Sequence, residues 1–246
     1  MVVNCNNGNI RQYVATILEN ENHELGDIND WDVSAVTNMA NLFLHSSFNL
    51  AIDRWDVSNV TNMSYMFYNA SEFDQPIGDW DVSNVTNFSF MFYGVSSFNQ
   101  PIGNWNIHAE NNDHVNMASM FRDASSFNQP IDNWDVSHVT NMTNMFNGAS
   151  SFNQSLNNWN ATNANLSHIF DGAYSYNHIL NDVHLADQFT MAQNEMIEQV
   201  HPKLYAKNNN NRIAAGSRRK KSRGKFSSKK RGSRGGKTRN KRSKRM

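Results

Sequence analysis

Only one cysteine, Cys5, occurs in the 246 residues, so the chain cannot carry an internal disulfide framework. That usage fits a reducing compartment. No run approaches the roughly 18 consecutive apolar residues of a membrane helix. Met1 to Asn9 offer neither a basic stretch nor an apolar core, so no secretory leader is read there. Positive charge is almost missing from most of the chain. Of 22 Lys and Arg, 19 lie in residues 203–246, which hold no Asp or Glu. Residues 1–202 keep only Arg11, Arg54 and Arg122 against all 22 acids, a formal charge of −19 beside a tail of +19. The overall neutrality therefore hides two opposite polyions. A tail of this kind is expected to meet nucleic acid or another polyanion.

Tryptophan is scarce but regular. The six tryptophans are Trp31, Trp55, Trp80, Trp105, Trp134 and Trp159, at steps of 24, 25, 25, 29 and 25 residues. The text between them recurs as well: Trp-Asp-Val-Ser-x-Val-Thr-Asn-Met, x-x-Met-Phe, then Ser-Ser-Phe-Asn-Gln-Pro-Ile-Gly-Asn. A period in the twenties marks a solenoid of stacked units. One unit has about nine apolar side chains, each contributing roughly 1.5–3 kcal/mol if fully buried. Ordering its backbone costs on the order of 1–2 kcal/mol per residue. A unit alone therefore loses, and burial is completed only by neighbours on both sides.

Val60, Met63, Phe67 and Ala70 stand at i, i+3, i+7 and i+10, as do Val85, Phe88, Phe92 and Val95, and Val139, Met142, Phe146 and Ala149. This spacing predicts a short helix of about three turns over roughly Ser58–Ala70 and its equivalents. Asp56 and Ser58, with Asp81, Ser83, Asp135 and Ser137, are placed to cap those helices. Pro76, Pro101 and Pro130 exclude helix from the second half of each unit and predict a very short strand or extended turn there. The expected fold is thus an α/β repeat solenoid with a short strand or turn plus a short helix per unit. It divides into an N-terminal cap helix (1–29, with Ile10, Tyr13, Val14, Ile17 and Leu18 on one face), five to six units (30–183), a closing helix (184–202) and a disordered basic tail (203–246).

The text Trp-Asp-Val-Ser-Asn-Val-Thr-Asn-Met-x-x-Met-Phe followed by Ser-Ser-Phe-Asn-Gln-Pro-Ile-Gly-Asn resembles the BspA-like leucine-rich repeat family, including the Mycoplasma-type surface repeats. The resemblance spans about Asp30 to Asp171. It implies a leucine-rich-repeat-like solenoid that is not an enzyme and binds proteins. Bacterial members are often secreted or lipid-anchored adhesins, and similar repeats occur in protists and large DNA viruses. No leader or lipid anchor is read here, and the basic tail fits no adhesin pattern. Both departures point to an intracellular or virion protein.

Several residue sets invite a chemical reading. Asp32, Asp56, Asp81 and Asp135 would lie in register, where stacked carboxylates bind a hard cation. Asn106 and Asn160 interrupt the row, which favours capping. Asn38, Asn62, Asn87, Asn116 and Asn141 read as a ladder bonded between units or as a solvated helix face. The Met and Phe stripe reads as core. Nine histidines show no metal-ligand spacing, and no nucleophile elbow, phosphate loop or carboxylate pair is present. No metal, cofactor or catalytic residue is therefore expected. The unit opened by Trp105 carries four extra residues, and insertions in solenoids bulge from one face. His108, Glu110, Asp113 and His114 make this a candidate partner-binding loop.

In the tail, Arg218, Arg219, Lys220, Lys221, then Lys229, Lys230, Arg231, then Lys241, Arg242, Lys244 and Arg245 form basic clusters suited to phosphate contact or nuclear import. Phe226 is the one aromatic beyond Tyr205, so base stacking is not expected. These features together describe a protein-binding scaffold carried to nucleic acid, the nucleus or nucleolus, or a virion core. Two alternatives are a BspA-like surface adhesin and a structural protein that associates through its own opposite charges, within or between molecules.

Overall fold

A computed structural model describes residues 2–19, 25–107, 114–178 and 185–187, all within the compact unit formed by residues 1–196. Strand β1 (Asn4–Asn6) leads into helix α1 (Ile10–Glu19), which buries Ile10, Val14 and Ile17. Asn9 sets the entry: its side-chain oxygen accepts from Asn6 N–H at 2.8 Å, and its amide donates to Asn4 O at 3.1 Å. Leu18, placed on the inner face by the sequence pattern, is instead exposed. A 3₁₀ turn (Ile28–Asp30) follows, then β2 (Asp32–Ala35), which pairs parallel with β1. Strands β3 (Val115–Asn116) and β4 (Val139–Asn141) form a second parallel pair.

Between and beyond these strands the same contacts continue as single bridges. Asn38 pairs with Asn62, Asn62 with Asn87, Asn87 with Asn116, and Asn141 with Asn165, all parallel. Successive units thus lie side by side in register, each a turn of chain that returns beside the last.

The short helix expected in each unit is absent from the described units. Ser58–Ala70 and its equivalents are chained turns. The N–H groups of Met63, Tyr65, Phe67 and Asn69 reach Asn87, Ser89, Met91 and Tyr93 carbonyls in the next unit at 2.7–3.0 Å. Those of Met66, Tyr68 and Ala70 close turns onto Met63, Tyr65 and Phe67. Alternate donors thus serve the neighbouring unit, whereas an α-helix would spend every donor on itself. The cause is local. Tyr65 and Asn69 take positive φ of 58° and 56°, a left-handed conformation that interrupts a right-handed helix every fourth residue. Met63, Met66, Phe67 and Ala70 still face inward and are fully buried. The apolar period read from the sequence is real, but it belongs to turns rather than to a helix.

Among the described residues the second half of a unit contributes no ladder strand. Beyond β1, the strands and bridges fall in the Asp-Val-Ser-x-Val-Thr-Asn half instead, which carries no proline.

Three aromatic columns run through the core. Phe43, Phe67, Phe92, Phe121, Phe146 and Phe170 stack at 5.3–6.1 Å between ring centres. Phe48, Phe73, Phe98, Phe127, Phe152 and Tyr176 run beside them at 5.8–6.2 Å. The tryptophans form the third column, and from Trp55 onward each indole N–H donates back one unit: Trp55 to Ile28 O, Trp80 to Ile52 O, Trp105 to Ile77 O, Trp134 to Ile102 O and Trp159 to Ile131 O, at 2.8–3.1 Å. A buried indole needs such an acceptor, so each of these five tryptophans serves as both filler and register pin. The closing helix drawn at 184–202 lies outside the described residues except for 185–187, which are helical, with Leu185 buried.

Candidate functional site

The four extra residues after Trp105 leave the stack undisturbed. Trp105 and Trp134 stack at 6.3 Å with planes 4° apart, although 29 residues separate them. The tryptophan column is therefore continuous across the insertion. His108, Glu110 and Asp113 lie outside the described residues. His114 is exposed and borders an open cleft of about 440 Å³ with Ser137, His138, Thr140 and Asn163. The tail cations from Arg218 to Arg245 also lie outside the described residues.

The acid row acts locally. Asp32, Asp56, Asp81 and Asp135 each accept the N–H of the serine two residues on at 3.0–3.1 Å. Hydrogen bonds from Ser34, side chain first and then backbone, hold Asp32 below the usual carboxylate range. Among the described residues no group of three or more His, Cys, Asp or Glu is placed to hold a metal ion.

The row Asn38 to Asn141 follows neither reading proposed for it. Each of these side chains, and that of Asn165, accepts from the N–H two residues on, at 2.9–3.1 Å. The bonds to the neighbouring unit come from the backbone. A true polar ladder between units stands elsewhere, unread in the sequence. The side-chain oxygens of Asn49, Asp74, Asn99, Asn128 and Asn153 accept the N–H of Asp74, Asn99, Asn128, Asn153 and Asn177, each one unit on, at 2.8–3.1 Å. The following glutamines, Gln75, Gln100, Gln129 and Gln154, donate to the same residues' carbonyls. The recurring Phe-Asn-Gln was the available signal.

Two further columns on the turn segment also escaped the sequence reading. One runs Asn41, Tyr65, Phe90, Ser119, Asn144, His168, and the other Leu44, Tyr68, Tyr93, Arg122, Asn147, Asp171. Most members are polar or small, but two adjacent units carry four aromatic rings, all half-buried. Tyr65 stacks on Phe90 at 4.6 Å and Tyr68 on Tyr93 at 4.5 Å. The Arg122 guanidinium lies over Tyr93, 5.6 Å from the ring centre. Desolvation raises the Tyr93 pKa, against a smaller opposing effect of Arg122. The signal was again present: Tyr-Met-Phe-Tyr and Phe-Met-Phe-Tyr stand where other units read Asn-Leu-Phe-Leu and Asn-Met-Phe-Asn.

A family model described as "Mycoplasma protein of unknown function, DUF285" matches residues 12–115 and again 106–208. The chain belongs to this family. The two DUF285 matches meet at 106–115, the segment that holds the insertion. No curated protein and no solved structure matches the chain. The DUF285 membership makes this a repeat protein, in agreement with the tryptophan period and with the bridges that join one unit to the next. Among the described residues no helix is long and apolar enough to cross a membrane.

Proposed function

We propose that this protein is a non-enzymatic scaffold of the BspA-like, leucine-rich-repeat solenoid kind, which binds a protein on its repeat body and a polyanion through its basic tail. The observation that carries the scaffold reading is the division of labour within each unit. The recurring Trp, Phe, Met and Ile fill the core, while outward columns such as Tyr65/Phe90 and Tyr68/Tyr93 change from unit to unit. A fold whose core recurs from copy to copy is free to vary its surface, which is how stacked repeats build binding faces. The insertion with His108, Glu110, Asp113 and His114 adds a second variable element.

Charge carries the tail reading. With +19 in its last 44 residues and no acid among them, the tail attracts phosphate without reading bases. The natural addresses are nucleic acid in the nucleus or nucleolus, or a virion core.

The test is binding of the full chain to a labelled duplex across salt, beside a variant with Arg218, Arg219, Lys220, Lys221, Lys229, Lys230 and Arg231 changed to Gln. If about eight to ten phosphates are neutralised, wild-type affinity falls roughly 10³–10⁵-fold between 50 and 200 mM salt. The variant shows a shallower slope and weaker binding. Absence of duplex binding at low salt refutes the tail reading.

A further inference from the structure

We infer that the strip formed by Tyr65, Tyr68, Phe90 and Tyr93 is a docking surface for an extended arginine- and lysine-rich segment of a partner protein. The inference deepens the scaffold reading and rests on it.

First, the backbone does not need an aromatic residue at Tyr65 or Phe90. Asn41 and Asn144 occupy the column of Tyr65 and Phe90 with φ of 62° and 58°, against 58° and 59° for the two aromatics. The same backbone therefore forms with a small polar side chain. Asparagine enters the left-handed region readily, whereas bulky residues pay about 1–2 kcal/mol for it. Two adjacent units thus hold a costly residue where a cheaper one serves, and such strain kept without structural need points to function.

Second, the surface is continuous. Four rings in two stacked pairs lie side by side, with Tyr65 and Tyr68 5.5 Å apart and Phe90 and Tyr93 6.1 Å apart. Leu44, 39 % exposed, occupies the Tyr68 column in the preceding unit. The apolar patch ends at Arg122.

Third, charge selects the occupant. Residues 1–202 carry −19, a field that draws cationic chains and repels acidic ones. Their own three cations are already engaged: Arg11 donates to Ala40 O at 3.0 Å, Arg54 pairs with Asp30 at 2.8 Å, and Arg122 lies beside Asp123 and over Tyr93. Arg122 also shows the seating chemistry. A guanidinium within about 6 Å of a ring centre is held by the ring's quadrupole while its stem covers apolar surface. An extended basic segment would repeat that contact along the strip.

The experiment measures binding of a fluorescein-labelled nona-arginine peptide to the full chain by anisotropy. It compares wild type with a Tyr65→Asn, Tyr68→Asn, Phe90→Asn, Tyr93→Asn variant. These changes keep the net charge and install a residue that the same columns already carry, so the melting curve should stay close to wild type. We expect at least about tenfold weaker binding by the variant, since each lost cation–π contact is worth roughly 0.5–1 kcal/mol at an exposed site. Equal affinity for both proteins would show that bulk charge alone holds the peptide and would overturn the strip. No binding by wild type would overturn it too. So would preference for an uncharged proline-rich peptide, which would make the strip a polyproline site. Duplex binding through the tail is unaffected by the ring changes, so failure of the strip and failure of the tail reading are told apart.

Discussion

Each tryptophan from Trp55 to Trp159 does two jobs, and their energies are separable. Trp105 fills the core between Trp80 and Trp134 and donates to Ile77 O at 3.0 Å. Trp105→Phe keeps an aromatic ring but removes the donor and part of the volume. We expect a loss of about 2–3 kcal/mol, read as a lower urea midpoint with an unchanged slope. Backbone handedness is the other residue-scale constraint. The column His45, Asn69, Gly94, Asp123, Gly148, Gly172 has positive φ throughout. A Cβ on Gly148 would lie 2.1 Å from Asp123 Oδ1 as well. Gly148→Ala should therefore cost more than the ~1 kcal/mol of conformation alone, whereas Asn69→Gly should be tolerated. Thermal melts of the two variants check the asymmetry. Cys5 is buried in β1, and burial, with Asp32 adding to it, raises its thiol from 9.0 to about 11. The raised pKa means the fold holds the neutral thiol. Its contribution is intact below pH 9 and is lost as pH climbs towards 11. Stability of wild type should drop more across that window than stability of Cys5→Ala, as urea titrations at pH 8.5 and 10.5 would show.

At the scale of the element, the turn segment explains why an apolar period alone misleads. Spacing of i, i+3, i+4 and i+7 was legible in Met63, Met66, Phe67 and Ala70, and all four are buried. The helix inferred from it was not there. An Asn, Gly or Asp column stood at positions 69, 94, 123 and 148, at the end of each supposed helix, where it also reads as a C-cap. Such a column marks left-handed backbone. The insertion offers an element-scale prediction. Since Trp105 and Trp134 stack as closely as their neighbours do, deletion of residues 108–111 should change stability by less than about 1 kcal/mol. A loss of several kcal/mol on denaturation would show that the loop helps hold the stack.

Across the molecule, the repeats make stability a sum of near-identical contacts between neighbours. Removing residues 81–105, one full unit, should leave a folded protein with a smaller denaturant slope, because the remaining units present the same faces to one another. Collapse of the shortened chain would mean that the units are not interchangeable. The chain's text determined much of this by itself. The period of the tryptophans, the apolar core positions, the split of charge into −19 and +19 and the absence of metal-ligand spacing follow from residue identity and distance along the chain. The tertiary structure decided what depends on contact across units. An N–H that reaches a carbonyl about 25 residues away leaves no mark on local spacing, so turns passed for helix. The inter-unit ladder from Asn49 to Asn153 also stayed unread. Two pairs of rings from adjacent units become one strip only when the stack brings Tyr65 onto Phe90 and Tyr68 onto Tyr93.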